Sequence, residues 1–301
     1  MRKNYLIVIV GPTAVGKTSI AIKIAKYLNI KILSADSRQF YREMCIGTAK
    51  PTETELSEIE HFFINNLSIT DSYSVGDFEK DVLDFLEKHY KETNLAILVG
   101  GSGLYVDAVV NGLDELPIVP NELRLQIMDE INADGLAPLL EELKEKDPAY
   151  FEVLDKNNKQ RLCRAIEVIR FTGLPFSSFL NKGAKSRPFE VIKIGINTER
   201  ETLYKRINAR VDEMMKQGLL EEVENLYEFR NTYALQTVGY KEIFDFMDST
   251  HTLEEAIELI KRNSRRYAKR QLTWFNRDIE TKWFGNNESD AILTYIKERI
   301  S

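Results

Sequence analysis

The apolar run Tyr5-Leu6-Ile7-Val8-Ile9-Val10 leads without a break into Gly11-Pro12-Thr13-Ala14-Val15-Gly16-Lys17-Thr18, a complete G-x-x-x-x-G-K-[ST] loop. The run is short, apolar and rich in β-branched residues, as befits a parallel strand buried on both faces. Beyond the loop, Ile20, Ala21, Ile24, Ala25 and Leu28 recur at helical spacing. Gly11 and Gly16 let the connecting backbone curl, turning its N–H groups toward an anion at the positive end of the helix. In such a loop Lys17 reaches the outer phosphates, and the Thr18 hydroxyl suits a Mg²⁺ ligand. A di- or triphosphate site formed by residues 11 to 18 is the first expectation.

The first 110 residues alternate strand and helix signals: strand 5–10, helix 17–28, strand 31–34, helix near 77–90, strand 95–99. That order predicts an α/β fold, a doubly wound parallel sheet. The predicted strands end at Gly11, at Ser34-Ala35-Asp36-Ser37 and at Gly100-Gly101-Ser102-Gly103. Ligands in open α/β sheets bind at carboxyl strand ends, so the three turns should face one cleft. Between Pro117 and Phe189 stand six prolines and no convincing strand, which predicts a helical insertion over 117–187 within a core of 1–116 and 188–301. Val191, Ile192, Ile194 and Ile196 return the chain to the sheet, and the remainder reads as helical.

No apolar stretch approaches the roughly 20 residues of a membrane helix, and the amino terminus shows no cleavable signal. Two cysteines, Cys45 and Cys163, without close spacing suit a reduced cytoplasmic protein. The net charge of −6 argues mildly against nucleic acid, subject to where the charge sits. It is not evenly spread. Residues 261–277 hold seven basic side chains and no acid, and Arg262, Arg266 and Arg270 fall four apart along one helical face, with Tyr267, Trp274 and Phe275 interleaved. A shorter basic cluster runs from Lys159 to Arg164. Either is a solvated face taken alone; together they suggest a footprint for a polyanion.

The strand 95–99 ends in Gly100-Gly101 instead of the aspartate that binds Mg²⁺ in many P-loop NTPases, which disfavours a switch or motor ATPase. Asp36, placed just past the second strand beside the first βα loop, should face the cradle. Its carboxylate can act as a base, ligate Mg²⁺ through water, or merely cap the following segment. A small-molecule kinase explains residues 1 to 110 but leaves the basic clusters idle. A nucleotide-gated RNA-binding protein leaves Asp36 without a task.

The chain resembles the tRNA dimethylallyltransferase (tRNA isopentenyltransferase) family from end to end. The blocks are the P-loop, Ala35-Asp36-Ser37-Arg38-Gln39-Phe40-Tyr41, Gly47-Thr48-Ala49-Lys50-Pro51, Gly100-Gly101-Ser102-Gly103-Leu104-Tyr105, Gln160-Arg161-Leu162-Cys163-Arg164-Ala165-Ile166-Glu167, Val238-Gly239-Tyr240, and residues 265–275. Ser102 stands where members often carry threonine, and the hydroxyl is kept. The resemblance implies transfer of a dimethylallyl group from dimethylallyl diphosphate to N6 of the adenine 3′ to the anticodon of tRNA. It assigns Asp36 as base, with Lys17, Thr18, Ser102 and Arg210 at the diphosphate or reacting centre and Mg²⁺ near Thr18. It implies that Asp36, Ser37, Arg38, Gln39, Ser102, Arg124, Gln160, Arg161, Leu162, Cys163 and Arg164 meet the anticodon stem-loop, with Arg266, Lys269 and Arg270 on its phosphates. A cytoplasmic monomer without a membrane partner completes the expectation.

Overall fold

The computed structural model describes residues 3–180 and 183–300. The chain divides into two compact units, Met1–Val110 with Ser186–Ser301, and Asn111–Lys185. In the first, the elements before the excursion are β1 (Tyr5–Val10), α1 (Lys17–Leu28), β2 (Ile32–Ser34), α2 (Glu53–Glu58), β3 (His61–Phe62), α3 (Val75–His89), β4 (Leu95–Gly100) and α4 (Gly103–Asn111). The second unit holds α5 (Asn121–Asp134), α6 (Ala137–Lys146), α7 (Pro148–Val153) and α8 (Lys159–Thr172). The first unit resumes with β5 (Glu190–Asn197), α9 (Arg200–Lys216), α10 (Leu219–Glu224), α11 (Tyr240–Met247), α12 (Leu253–Phe275), β6 (Lys282–Gly285) and α13 (Ser289–Ile300).

The six strands form one parallel sheet in the order β3-β2-β4-β1-β5-β6. All of β1 is buried because both faces are covered, and its side chains alternate between two cores. Tyr5, Ile7 and Ile9 pack with Ile20 and Ile24 of α1 and Ile207 of α9, while Leu6, Val8 and Val10 pack with Phe78, Val82 and Leu86 of α3. A third core joins α9 to α12 around the fully buried Tyr240. The helical unit has its own, centred on Ile127, Leu143, Leu162 and Ile166. Each core is contiguous, as hydrophobic burial requires of a stable unit.

Two corrections to the sequence reading concern the sheet. The chain after β5 is not all helical: Lys282–Gly285 adds the edge strand β6, and Gly195 of β5 leaves room for it, since a Cβ there would lie 2.5 Å from the Trp283 ring. The second strand does not neighbour the first, because β4 lies between them. The turn after β2 therefore faces the P-loop across the glycine turn that ends β4.

Candidate active site

The P-loop is set by its glycines. Gly11 has φ +149°, and a Cβ there would lie 2.3 Å from the Ile196 carbonyl oxygen, so only glycine lets the end of β5 approach. Gly16, at φ +102°, opens α1, and Ala14 also takes a left-handed φ of +62°. The first-turn N–H groups of α1 have no intrahelical acceptors and lie where an anion gains most from the helix dipole. The Thr13 N–H is already engaged by Gln271 Oε1 at 2.8 Å, and Lys17 Nζ donates to the Pro12 carbonyl at 2.8 Å. Pro12 and Val15 are buried, so they shape the loop and offer an anion only backbone.

The glycine turn after β4 lies low enough for the neighbouring loops to converge. A Cβ on Gly100 would meet the Ala35 carbonyl oxygen at 2.2 Å, and one on Gly101 would meet Gln271 Nε2 at 2.2 Å. Ser102 is buried; its Oγ accepts from Ser37 N at 3.0 Å and donates to Ser37 Oγ at 3.2 Å. Asp36 Oδ1 accepts from Arg38 N at 3.0 Å, so the carboxylate caps its own turn while lining the cleft. Gln39 is occupied internally. Its Oε1 accepts from Ser34 Oγ, and its Nε2 donates to the carbonyls of Thr48 and Ala49. With both ends of the amide engaged, Gln39 holds the Gly47-Thr48-Ala49 segment against the strand end instead of offering a side chain to RNA. That segment is fixed from the other side by Glu222, whose carboxylate accepts from the N–H groups of Cys45, Ile46 and Gly47 and from Tyr240 Oη.

The P-loop, the turn after β2, the 47–49 segment and α9, α11 and α12 border a cleft of about 770 Å³, wholly within the first unit, lined among others by Thr13, Asp36, Arg38, Arg210, Tyr267 and Arg270. Arg210 reaches Thr13 Oγ1 at 3.5 Å. Burial lowers the Lys17 ammonium to about 8; Asp36 opposes the shift and Arg210 adds to it. Burial likewise lowers Arg210, with Asp36 and Glu55 opposing. Both partly desolvated cations thus gain from any anion that enters. Burial, with the negative Asp36 adding to it, raises the Tyr267 phenol to about 12. Arg262, Arg266 and Arg270 are exposed and line the cleft, and Lys269 is exposed beside them. Lys261, counted in the same basic run, is instead paired with Asp212 and Glu258, and Arg265 donates to Asn208 Oδ1.

In the helical unit the expected RNA-facing residues divide. Gln160 and Arg161 are exposed at the start of α8. Leu162 is fully buried and Cys163 nearly so, because they fall on the face of α8 that fills the unit's core; neither side chain is offered to RNA. Arg124 is tied to buried Glu167 by two bonds, and Arg164 to the same carboxylate and to the Pro117 carbonyl. These arginines neutralise a carboxylate that would otherwise be costly to bury.

For a metal, Thr18 and Asp36 supply one hydroxyl and one carboxylate, all hard oxygen. Among the described residues no group of three or more His, Cys, Asp or Glu is placed to hold an ion. The donor set is too small for a free-standing site and suits Mg²⁺ carried on a diphosphate, since that ion keeps several waters and one or two protein oxygens. Gln271 falls inside the 265–275 block and Glu222 in no block, but neither shows its partner in the sequence; each is a polar residue on a helix, and only the fold brings it to a distant loop.

The IPP transferase family profile matches residues 39–278. A tRNA dimethylallyltransferase of Christiangramia forsetii is 50% identical over 299 residues, covering 99% of each chain. A tRNA dimethylallyltransferase 2 of Parabacteroides distasonis is 45% identical over 297 residues, again 99% of each. Among solved structures, the full-length tRNA isopentenylpyrophosphate transferase of Bacillus halodurans superposes with a TM-score of 0.74 at 38% identity, covering 99% of this chain and 97% of that one. A eukaryotic dimethylallyltransferase captured acting on tRNA gives 0.79 at 25% identity over 98% of this chain and 77% of its own.

Proposed function

The chain belongs to the IPP transferase family, and on that premise we propose that it transfers the dimethylallyl group of dimethylallyl diphosphate to N6 of the adenine 3′-adjacent to the anticodon (position 37) of tRNA. The observation that carries the reading is the cleft itself. Asp36 shares it with the P-loop residue Thr13 and Arg210 and with an exposed arginine stripe on α12; Glu242 and Asp245 also line it, but Glu242 is engaged by Gly239 N and Asn263 Nδ2. Donor and acceptor thus have separate grips around Asp36.

The reaction breaks the allylic C–O bond and forms an N6–C bond, so negative charge grows on the diphosphate as the amine becomes positive. Arg210, the N–H groups at the start of α1 and Lys17, once it exchanges its Pro12 carbonyl for the ligand, would stabilise that charge, and donors held by the fold need little reorganisation to do so. Mg²⁺ held by Thr18 and, through water, by Asp36 would supply further stabilisation of the leaving group. Asp36 accepts the N6 proton, and Ser102, bonded to Ser37, fixes the turn that carries it. The adenine leaves its stack at a cost of a few kcal/mol, which loop bases pay more readily than paired ones. Arg262, Arg266, Lys269 and Arg270 hold phosphates, with Gln160 and Arg161 of the helical unit as a second contact.

Asp36→Asn tests the reading. A positioned general base is worth roughly 10²–10⁴ in rate, so single-turnover transfer should fall by that factor while the dissociation constant for an anticodon stem-loop stays unchanged. Equal loss of binding and transfer would make Asp36 a recognition residue and remove the proposed base.

A further inference from the structure

Helix α12 presents Arg262, Arg266 and Arg270 outward, but Gln271, next to Arg270, turns inward and is buried. Its amide joins two loops that are remote in sequence. Oε1 accepts from Thr13 N of the P-loop at 2.8 Å, and Nε2 donates to the Gly101 carbonyl at 2.9 Å. Donor and acceptor fix the amide in one orientation, because a flipped amide would set N–H against N–H and oxygen against oxygen. The fit is mutual: a Cβ at Gly101 would lie 2.2 Å from Nε2, so the glycine is the space the amide fills.

One buried side chain therefore sets the separation between the phosphate cradle and the turn that bears Ser102. It does so from the helix that also carries Tyr267, Arg266 and Arg270 along the cleft. We propose that Gln271 is a positioning residue for the transfer reaction, holding the diphosphate loop and the Ser102–Asp36 side in reacting register with the helix that grips RNA. The inference rests on the function proposed above. Bond-forming centres tolerate little error, and a shift of about 1 Å costs on the order of 10²-fold in rate. Losing the clamp should therefore act on turnover more than on affinity.

Two variants test it, each measured for transfer from labelled dimethylallyl diphosphate to an unmodified anticodon stem-loop. Gln271→Met keeps the shape and removes both bonds. Its kcat should fall at least about tenfold, as expected for two lost hydrogen bonds, with KM for the diphosphate and the RNA dissociation constant within about twofold. Gln271→Glu keeps the acceptor for Thr13 but sets a second oxygen against the Gly101 carbonyl until it is protonated; the neutral acid then restores both bonds. The ratio of its activity to the parent's should therefore rise as pH falls from 8 to 5.5, which a space-filling role does not predict. Parent-like kcat in Gln271→Met, or a flat ratio in Gln271→Glu, overturns the inference, and the Glu variant alone decides if the Met variant does not fold. A parent protein that transfers nothing would instead remove the proposed function, and this inference with it.

Discussion

If Lys17 grips the diphosphate as proposed, binding is sensitive to pH in a range where the ligand itself is not. Burial, with Arg210 adding and Asp36 opposing, brings its ammonium from 10.5 to about 8 in the free protein. A bound diphosphate favours the charged form, so binding above pH 8 must first restore a proton. If only the protonated form binds, affinity is halved near pH 8 and is about tenfold weaker at pH 9 than at pH 7, following the charged fraction. The phosphate ionises near pH 6, so its own charge is constant over this span. For the free protein the sign is opposite. Between about 8 and 10.5 the unfolded chain holds more protons at this residue, so its contribution to stability rises with pH. Calorimetric titration with dimethylallyl diphosphate from pH 7 to 9 reads the effect. Lys17→Arg, which stays charged, should give a flat profile, and Lys17→Met should bind roughly 10–100-fold more weakly at pH 7, as expected for a lost charge-assisted bond. A flat profile in the parent, or a slope that survives in Lys17→Met, would refute the assignment of Lys17 as the titrating grip.

Reversing the stripe with Arg266→Glu and Arg270→Glu should weaken stem-loop binding and lower the magnitude of its log–log salt slope by about 1.4, at roughly 0.7 per single-strand phosphate contact; an unchanged slope would return α12 to an ordinary solvated face. Glu222→Ala removes the acceptor shared by three backbone N–H groups and the buried Tyr240 hydroxyl. It should cost about 3 kcal/mol in urea unfolding, with faster amide exchange at residues 45–47; a loss below about 1 kcal/mol would show that the loop is held by other contacts.

What the sequence reveals here is mostly periodicity and phosphate chemistry. β1, α1, α3, β4 and β5 are legible because burial on two faces gives continuous apolar runs, and amphipathic burial gives helical spacing. β6 is not, because Lys282-Trp283-Phe284-Gly285 is four residues at a sheet edge whose partner, Gly195, lies far away. The P-loop and Asp36 are legible from the local turns that carry them. The roles of basic residues are not, because charge in a sequence does not reveal its partner: Lys261, Arg124 and Arg164 turn out to neutralise nearby carboxylates, while Arg262, Arg266 and Arg270 face the cleft. Leu162 and Cys163 share a block with exposed Gln160 and Arg161, yet a helix rotates successive residues by about 100°, which carries them into the core. Glu222 escapes entirely, and Gln271 is seen only as part of the 265–275 block, since the partners of both are set by tertiary contact alone.

The central claim is a prenyl transfer with a diphosphate leaving group, and one assay addresses it directly. The protein is incubated with Mg²⁺ and an unmodified tRNA whose anticodon is followed by adenines, in one arm with dimethylallyl diphosphate labelled in the prenyl group and in the other with γ-labelled ATP. Label entering RNA from the prenyl donor alone, on the adenine 3′ to the anticodon, is the predicted result. Transfer of label only from ATP would contradict the account and make the cleft a kinase site.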